Sequence, residues 1–478
     1  MLMPVADDRI LARKDEIVRL LQRAVLDGVV IADPSETKVY ECDAYTAYTC
    51  VPLAVVLPST TQEVAAVLRV CHQQGVPVIP RGSGTSLTGG ALPTADSVVV
   101  GLSRMANVLE IDIANRFIRV ETGCTNMAVS KFVEQAGFFY APDPSSQIAC
   151  AIGGNIATNA GGAHCLKYGV TSNNLLGVTF VSIEGEIIEF GGPFLDAAGL
   201  DLLGIICGSE GQLGVVTEAT LRILPSPENA RPVLFGFESS EQAGRCVSDI
   251  IRSGTLPVAI EFMDRLVIRA TDDFAKANYP DTEALLIVEV EGSVEEIEAQ
   301  LAKIVAIATS HGAVSIRQSR SAADSASIWK GRKSAFGAMG RLGDYICLDG
   351  VIPVSKLAVV LMRIAELAET YGLKVGNVFH AGDGNLHPLI LFDENLPGQL
   401  EKAEALGAEI LRLCVDVGGC LTGEHGVGVE KRELMSLQFS AEDLDVQMSV
   451  KEVFDPAWRL NPAKVFPLQA STNRQLLH

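Results

Sequence analysis

The 478-residue sequence contains no Cys-x-x-Cys pair, and its eleven cysteines are odd in number and scattered from Cys42 to Cys420. That pattern excludes a disulfide framework and the thiolate sets of iron–sulfur clusters and zinc knuckles. Basic residues are also short, 38 Lys plus Arg against 58 Asp plus Glu, and no run of five occurs; the net charge is −20. Such a chain repels a phosphate backbone, so nucleic acid is excluded as a partner. No stretch of about eighteen apolar residues exists to span a bilayer, and Asp7 and Asp8 stand where a signal peptide needs positive charge. The expectation is a cytoplasmic chain without a transmembrane segment, which docks at the inner face of a membrane through a partner. What the sequence does have is 48% hydrophobic residues and 44 glycines, enough for two or three packed domains.

Asp7 to about Leu26 has helical periodicity. A second helix is better marked: Ser59 or Thr60 caps it, Gln62 and Glu63 follow, Val64, Val67, Leu68 and Cys71 form its apolar face, and Gly75 stops it. Short strands are predicted at 76–79, 97–102, 108–113 and 117–121, a helix at 125–135, and a hairpin at 178–190 around Glu184-Gly185. Pro225, Pro227 and Pro232 mark a domain boundary. Beyond it, strands at 233–238, 257–262, 284–291 and 313–318 alternate with helices at 240–252 and 294–310. This suggests an antiparallel or mixed sheet with helices on one side, a separate α+β domain.

Three glycine-rich runs, at 80–90, 153–162 and 208–214, lie in the first half of the chain. Each lets backbone N–H groups approach an anion without obstruction by Cβ, the usual way of holding a pyrophosphate. A Rossmann fingerprint fails, since Gly82-Ser-Gly84-Thr-Ser-Leu87 lacks the third glycine and leads to a strand; no GxxxxGK[ST] P-loop exists either.

Late in the chain, His380 and His387 flank Asp383-Gly384, a two-residue hairpin signal. Counting outward from that turn pairs 380 with 387 and puts both imidazoles on one face, suitable for one divalent ion. Gly423-Glu-His-Gly426 offers a carboxylate and a further imidazole, completing an open His₂Glu set. From these residues alone, satisfied surface histidines and a metallohydrolase remain open, although the latter leaves the glycine runs unexplained.

Pro80-Arg-Gly-Ser-Gly-Thr-Ser-Leu-Thr-Gly-Gly90, Gly153-Gly-Asn-Ile-Ala-Thr-Asn-Ala-Gly-Gly162 and Gly208-Ser-Glu-Gly-Gln-Leu-Gly214 resemble the three FAD-binding segments of the vanillyl-alcohol oxidase or p-cresol methylhydroxylase (PCMH) type, in the same order and spacing. The resemblance runs from about residue 40 to 467. Within that family the chain is most similar to the FAD-linked subunits of bacterial glycolate oxidases, with D-lactate and D-2-hydroxyglutarate dehydrogenases nearby. It implies an α+β chain with a PCMH-type FAD-binding domain over 1–225, a ferredoxin-like substrate (cap) domain over 226–415, and a C-terminal segment, 416–478, returning to the FAD domain.

The implied FAD contacts are Arg81, Gly82, Ser83, Gly84, Thr85, Ser86, Gly89, Gly90, Pro142, Gly153, Gly154, Asn155, Thr158, Asn159, Gly161, Glu210, Gly211, Gly214 and Asn461. Thr85 stands where covalent members often carry His, so the FAD is expected to be noncovalent. The resemblance makes His380, His387 and Glu424 ligands of zinc or a similar divalent ion, His425 the catalytic base and Arg332 the ligand of a substrate carboxylate. Where hydroxyglutarate-type relatives carry a Lys for a distal carboxylate, this chain has Cys347, which favours a small 2-hydroxy acid, glycolate or D-lactate. The implied activity is oxidation to the 2-oxo acid with electrons passed to an acceptor other than NAD. A second flavin-type subunit and an iron–sulfur subunit feeding quinone are the expected partners; the alternative is a self-sufficient dehydrogenase using an electron-transfer flavoprotein.

Overall fold

The computed structural model describes residues 3–194 and 199–475, which divide into two compact units. Of the described residues, the first comprises 3–161, 170–194, 199–226 and 424–475; the second comprises 162–169 and 227–423.

In the first unit a four-stranded sheet runs in the order Val29–Ile31, Ala54–Leu57, Val98–Gly101, Val78–Arg81. Its last three strands are parallel. The helix Thr61–Gln74 begins where the sequence expects: Thr60 accepts from the Glu63 amide, and Gly75 closes the other end at φ +69°. Its predicted apolar face, Val64, Val67, Leu68 and Cys71, is fully buried. Glu63 adds a long-range tie, accepting from the amides of Leu26 and Asp27 at 2.7 Å each. A five-stranded antiparallel sheet follows, ordered Val108–Asp112, Phe117–Glu121, Val215–Arg222, Leu175–Val181, Ile187–Gly191. The predicted hairpin lies at its edge, with Ser182 N bonded to Glu186 O and Gly185 at φ +78°.

The 153–162 run is not all loop: its first half is the helix Ile152–Thr158, ended by Asn159 in the left-handed region. Glycine is a poor helix former, but a Cβ on Gly153 would crowd Thr122 at 3.2 Å. Close packing against Thr122, just past the strand Phe117–Glu121, outweighs intrinsic propensity here.

The second unit holds a seven-stranded antiparallel sheet, ordered Ser315–Gln318, Asn229–Phe237, Ala284–Gly292, Ala259–Asp264, Lys374–His380, Pro388–Phe392, Asp344–Cys347. The sequence reading puts helices on one side. Yet consecutive residues 284–290 and 259–263 are buried, so both faces of the central strands are covered. A helix left unassigned in the sequence, Arg265–Ala275, begins directly after its strand, with Asp264 accepting from the Val267 amide. The short segment 162–169 joins this unit through polar ties, His164 Nε2 to Glu289 at 3.1 Å and Lys167 Nζ to Glu291 at 2.7 Å.

Candidate active site

Within the first unit the three glycine-rich segments meet. Gly82 approaches the second so closely that a Cβ would lie 3.3 Å from Ala151 and 3.4 Å from the Gly154 nitrogen. The third is bound to the second by Gly208 N to Ile156 O and Glu210 N to Ala157 O, both 2.8 Å. Asn461, 2% exposed, joins the first and third: its Nδ2 donates to Gly90 O at 3.0 Å and Glu210 O at 2.6 Å. Asn155 is buried and accepts from Asn126 Nδ2, which also donates to Pro142 O. Gly84 and Gly89 take positive φ, and Thr85 and Ser86 lie half-buried between them. A Cβ on Gly154 would meet nothing within 4 Å. This arrangement of backbone exposed over open space fits a dinucleotide cradle.

Other residues of the expected FAD set have additional roles. Arg81 donates to Cys42 O at 2.7 Å, and Ser83 is exposed. Thr158 bonds back to Gly154 O, and Asn159 accepts from Ser172 N at 2.8 Å. Gly211 packs on Pro80, and Gly214 leaves room for Phe180. Glu210 is buried and its two carboxylate oxygens accept from Val427 N at 2.7 Å and Gly428 N at 2.8 Å. Burial pushes its carboxyl above the ordinary range, against those two amides and the charges of Lys431 and Lys464.

Glu210 thus fastens the turn that carries Glu424 and His425 to the glycine segments. Gly161 N donates to Glu424 Oε2 at 3.1 Å, and Thr88 reaches His425 O at 3.5 Å and accepts from Val429 N at 2.8 Å. Gly426 at φ +84° lies against the Glu210 carboxylate. His425 Nε2 and Glu424 Oε1 are 3.9 Å apart.

In the second unit His380 ends one strand and His387 precedes the next, with ring centroids 5.1 Å apart and planes nearly perpendicular. The pairing differs from the predicted register. His380 lies opposite Asn385, not His387, and the adjacent ladder, Asn377 with Pro388, continues that alignment. The turn is wider because Gly384, at φ +81°, packs against the Ile352 carbonyl, and Ile352 N in turn bonds to Gly384 O. The slip is by two residues and side-chain direction alternates with period two, so both imidazoles still share a face.

Both rings are held by Nδ1. His387 Nδ1 lies 3.2 Å from Leu348 O, with buried Asp349 3.9 Å away. His380 Nδ1 lies 2.7 Å from Glu261 Oε1. A carbonyl and a carboxylate only accept, so each Nδ1 carries a proton, and in the neutral imidazole Nε2 is then the nitrogen that can ligate. That donor chemistry fits a divalent ion. Asp349 also accepts from Thr422 Oγ1 and, at 2.9 Å, from Gly423 N. It therefore holds the residue directly before Glu424.

Arg332 lies in the helix Ala322–Met339, 4% exposed, with Nε 2.6 Å from Glu261 Oε2. Lys330 and Lys333 on the same helix are exposed. Tyr279 inserts its hydroxyl into this helix, donating to Ile328 O at 2.5 Å and accepting from Arg332 N at 2.9 Å. Glu261 is fully buried; burial raises its carboxyl pKa, but Arg332 and then His380 outweigh that and hold it below the ordinary range. Cys347 is buried with its thiol within 4.8 Å of a His387 ring nitrogen. Sequence reasoning missed Glu261, Asp349 and Tyr279. Glu261 had a signal: it is the one charge in Val258-Ala-Ile-Glu-Phe-Met263, an otherwise apolar run.

Known proteins resemble this chain over most of its length. Residues 52–191 match the FAD binding domain family, and residues 226–465 match the C-terminal domain of FAD linked oxidases. The chain is 48% identical over 430 residues to the glycolate oxidase subunit GlcD of Escherichia coli K12, covering 90% of this chain and 86% of that one. It is 38% identical to the Bacillus subtilis GlcD, covering 90% and 93%, and 34% identical to a D-lactate dehydrogenase of Archaeoglobus fulgidus, covering 86% and 90%. Among solved structures, p-cresol methylhydroxylase with substrate bound superposes with a TM-score of 0.81 at 16% identity, over 97% of this chain and 98% of that one. That likeness establishes a PCMH-type fold. Joined glycine segments, matched domains and close relatives lead to one conclusion: the chain belongs to the FAD-linked oxidase family and is an FAD-dependent oxidoreductase.

Proposed function

We propose that the protein oxidises a small 2-hydroxy acid, glycolate or D-lactate, to the 2-oxo acid. The observation that carries this reading is the pair His380 and His387, each held at Nδ1 by a buried acceptor and with ring centroids 5.1 Å apart, in the same unit as the buried guanidinium of Arg332. Similarity to glycolate oxidase subunits and a D-lactate dehydrogenase supports it.

When bound, noncovalent FAD supplies the two-electron acceptor for the hydride from Cα, and a divalent ion, zinc being our choice, supplies polarisation of the substrate hydroxyl. His380, His387 and Glu424 would hold the ion. Gly423, tethered to Asp349 beside His387, directly precedes Glu424 in the chain. His425 takes the hydroxyl proton at a ring nitrogen, and its turn is tied to the glycine segments through Glu210 and Thr88. Arg332 spends one of its five N–H donors on Glu261 and binds the substrate carboxylate with its terminal nitrogens. The stoichiometry closes: two electrons and one proton leave as hydride, and the second proton goes to His425. Cys347, standing where hydroxyglutarate-type relatives carry a Lys, favours a substrate without a distal carboxylate.

The test is anaerobic mixing of the yellow protein with glycolate and with D- and L-2-hydroxy acids of increasing length. Bleaching by glycolate or D-lactate and not by D-2-hydroxyglutarate is expected; no bleaching by any of them overturns the reading. Acid precipitation should leave all flavin in the supernatant, because Thr85 offers no nitrogen for a covalent link.

A further inference from the structure

Glu261 and His380 are direct cross-strand partners in the central sheet. The carboxylate between them and Arg332 is divided: Oε1 serves His380 at 2.7 Å and Oε2 serves Arg332 Nε at 2.6 Å. Glu261 is 0% exposed, in a strand whose neighbours Ile260, Phe262 and Met263 are also buried. Desolvating a carboxylate there is costly, and an apolar residue would serve the fold as well. An Arg–carboxylate pair formed for stability alone would favour two parallel N–H bonds. Here Arg332 gives only Nε, and the second oxygen goes to the imidazole. The far side of the arginine is fixed independently, through Tyr279 Oη at its backbone nitrogen.

We propose that Glu261 is a positioning residue that couples the two halves of substrate recognition. Through one oxygen it keeps the proton on His380 Nδ1 and aims Nε2; through the other it sets the distance and rotation of the Arg332 guanidinium. In a 2-hydroxy acid the hydroxyl and carboxylate stand on adjacent carbons, so the groups that read them need a fixed spacing. One rigid carboxylate supplies it. This rests on the function proposed above, in which His380 is a metal ligand and Arg332 holds the substrate carboxylate.

The experiment uses the FAD-loaded full chain with Glu261→Gln, Glu261→Asp and Arg332→Lys. Metal retention is measured by titration with a chelator, and KM and kcat for glycolate and D-lactate are measured at saturating divalent metal. Removing a carboxylate that orients a metal-bound histidine weakens metal binding by roughly 10- to 100-fold. Glu261→Gln is expected to show that loss together with a KM raised by about the same range, while FAD content and unfolding temperature stay near the parent's. Arg332→Lys is expected to raise KM without loosening the metal, so only Glu261 moves both readouts. Should Glu261→Gln fail to fold, Glu261→Asp, which shortens the bridge by one methylene, carries the same two readouts. Unchanged metal retention and unchanged KM, or a fall in unfolding temperature alone, overturns the coupling and leaves the function proposal standing. A parent protein that oxidises 2-hydroxy acids yet retains no divalent metal overturns the ligand assignment and this coupling together.

Discussion

His425 sits on a turn whose backbone is clamped by Glu210 and Thr88, so a change of its side chain alone should leave the turn in place. His425→Gln is expected to keep metal and FAD while slowing single-turnover flavin reduction by about 10²- to 10⁴-fold, the usual scale for a lost general base; an unchanged rate would move the proton to another acceptor. A second residue-scale prediction concerns Lys464, buried in the first unit with Nζ donating to Pro462 O at 3.1 Å. Burial pushes its ammonium down to about 7, with Asp43 pulling the other way. Between that value and the ordinary 10.5 the unfolded chain holds a proton that the folded chain has lost. Stability therefore rises with pH across that window, and the contribution is absent below it. The total from Lys464 is at most about 5 kcal/mol. Urea unfolding of the parent and Lys464→Met at about pH 7 and pH 9.5 should show a smaller gain with pH in the variant; equal gains would mean Lys464 stays charged when folded.

At the scale of elements, the helix Ala322–Met339 is interrupted from outside, because the Tyr279 hydroxyl stands between Ile328 O and Arg332 N. The ring reaches that place only because residue 331 is glycine; a Cβ there would overlap it. Gly331→Ala normally favours a helix, but here overpacking should destabilise by about 1–3 kcal/mol and raise KM through displacement of Arg332, measurable by denaturant unfolding and steady-state kinetics. A stabilised variant with unchanged KM would refute the insertion as a positioning device. The same scale explains the histidine hairpin. Asp383-Gly384 was legible as a turn, and the shared face of the two imidazoles followed from parity. The register itself came from Ile352 gripping Gly384, a contact between segments far apart in the chain.

At the scale of the whole molecule, the chain is expected to pass its electrons to a partner. It has no cysteine ligand set for an iron–sulfur cluster, and no described helix is long and apolar enough to cross a membrane. We expect it to work beside a second flavin-type subunit and an iron–sulfur subunit feeding quinone. Purification from native extract should recover those partners with quinone-analogue reductase activity. A chain that elutes alone and reduces an electron-transfer flavoprotein faster than any quinone rules the complex out.

The helix over Thr61–Gln74, most strands and the three glycine segments were determined by the sequence itself, because capping, periodicity and glycine content are local and leave marks within a few residues. The helical start of the second glycine segment, the coverage of both faces of the large sheet and the hydrogen-bond partners of Glu210, Glu261 and Tyr279 were decided only by the tertiary structure. Each depends on partners distant in sequence, Glu210 with the turn at Val427 and Glu261 with His380 and Arg332. A buried polar residue shows in sequence only as an oddity within an apolar run. What it is for is set by the groups that folding brings within hydrogen-bond reach, since burial leaves it no water to bond instead.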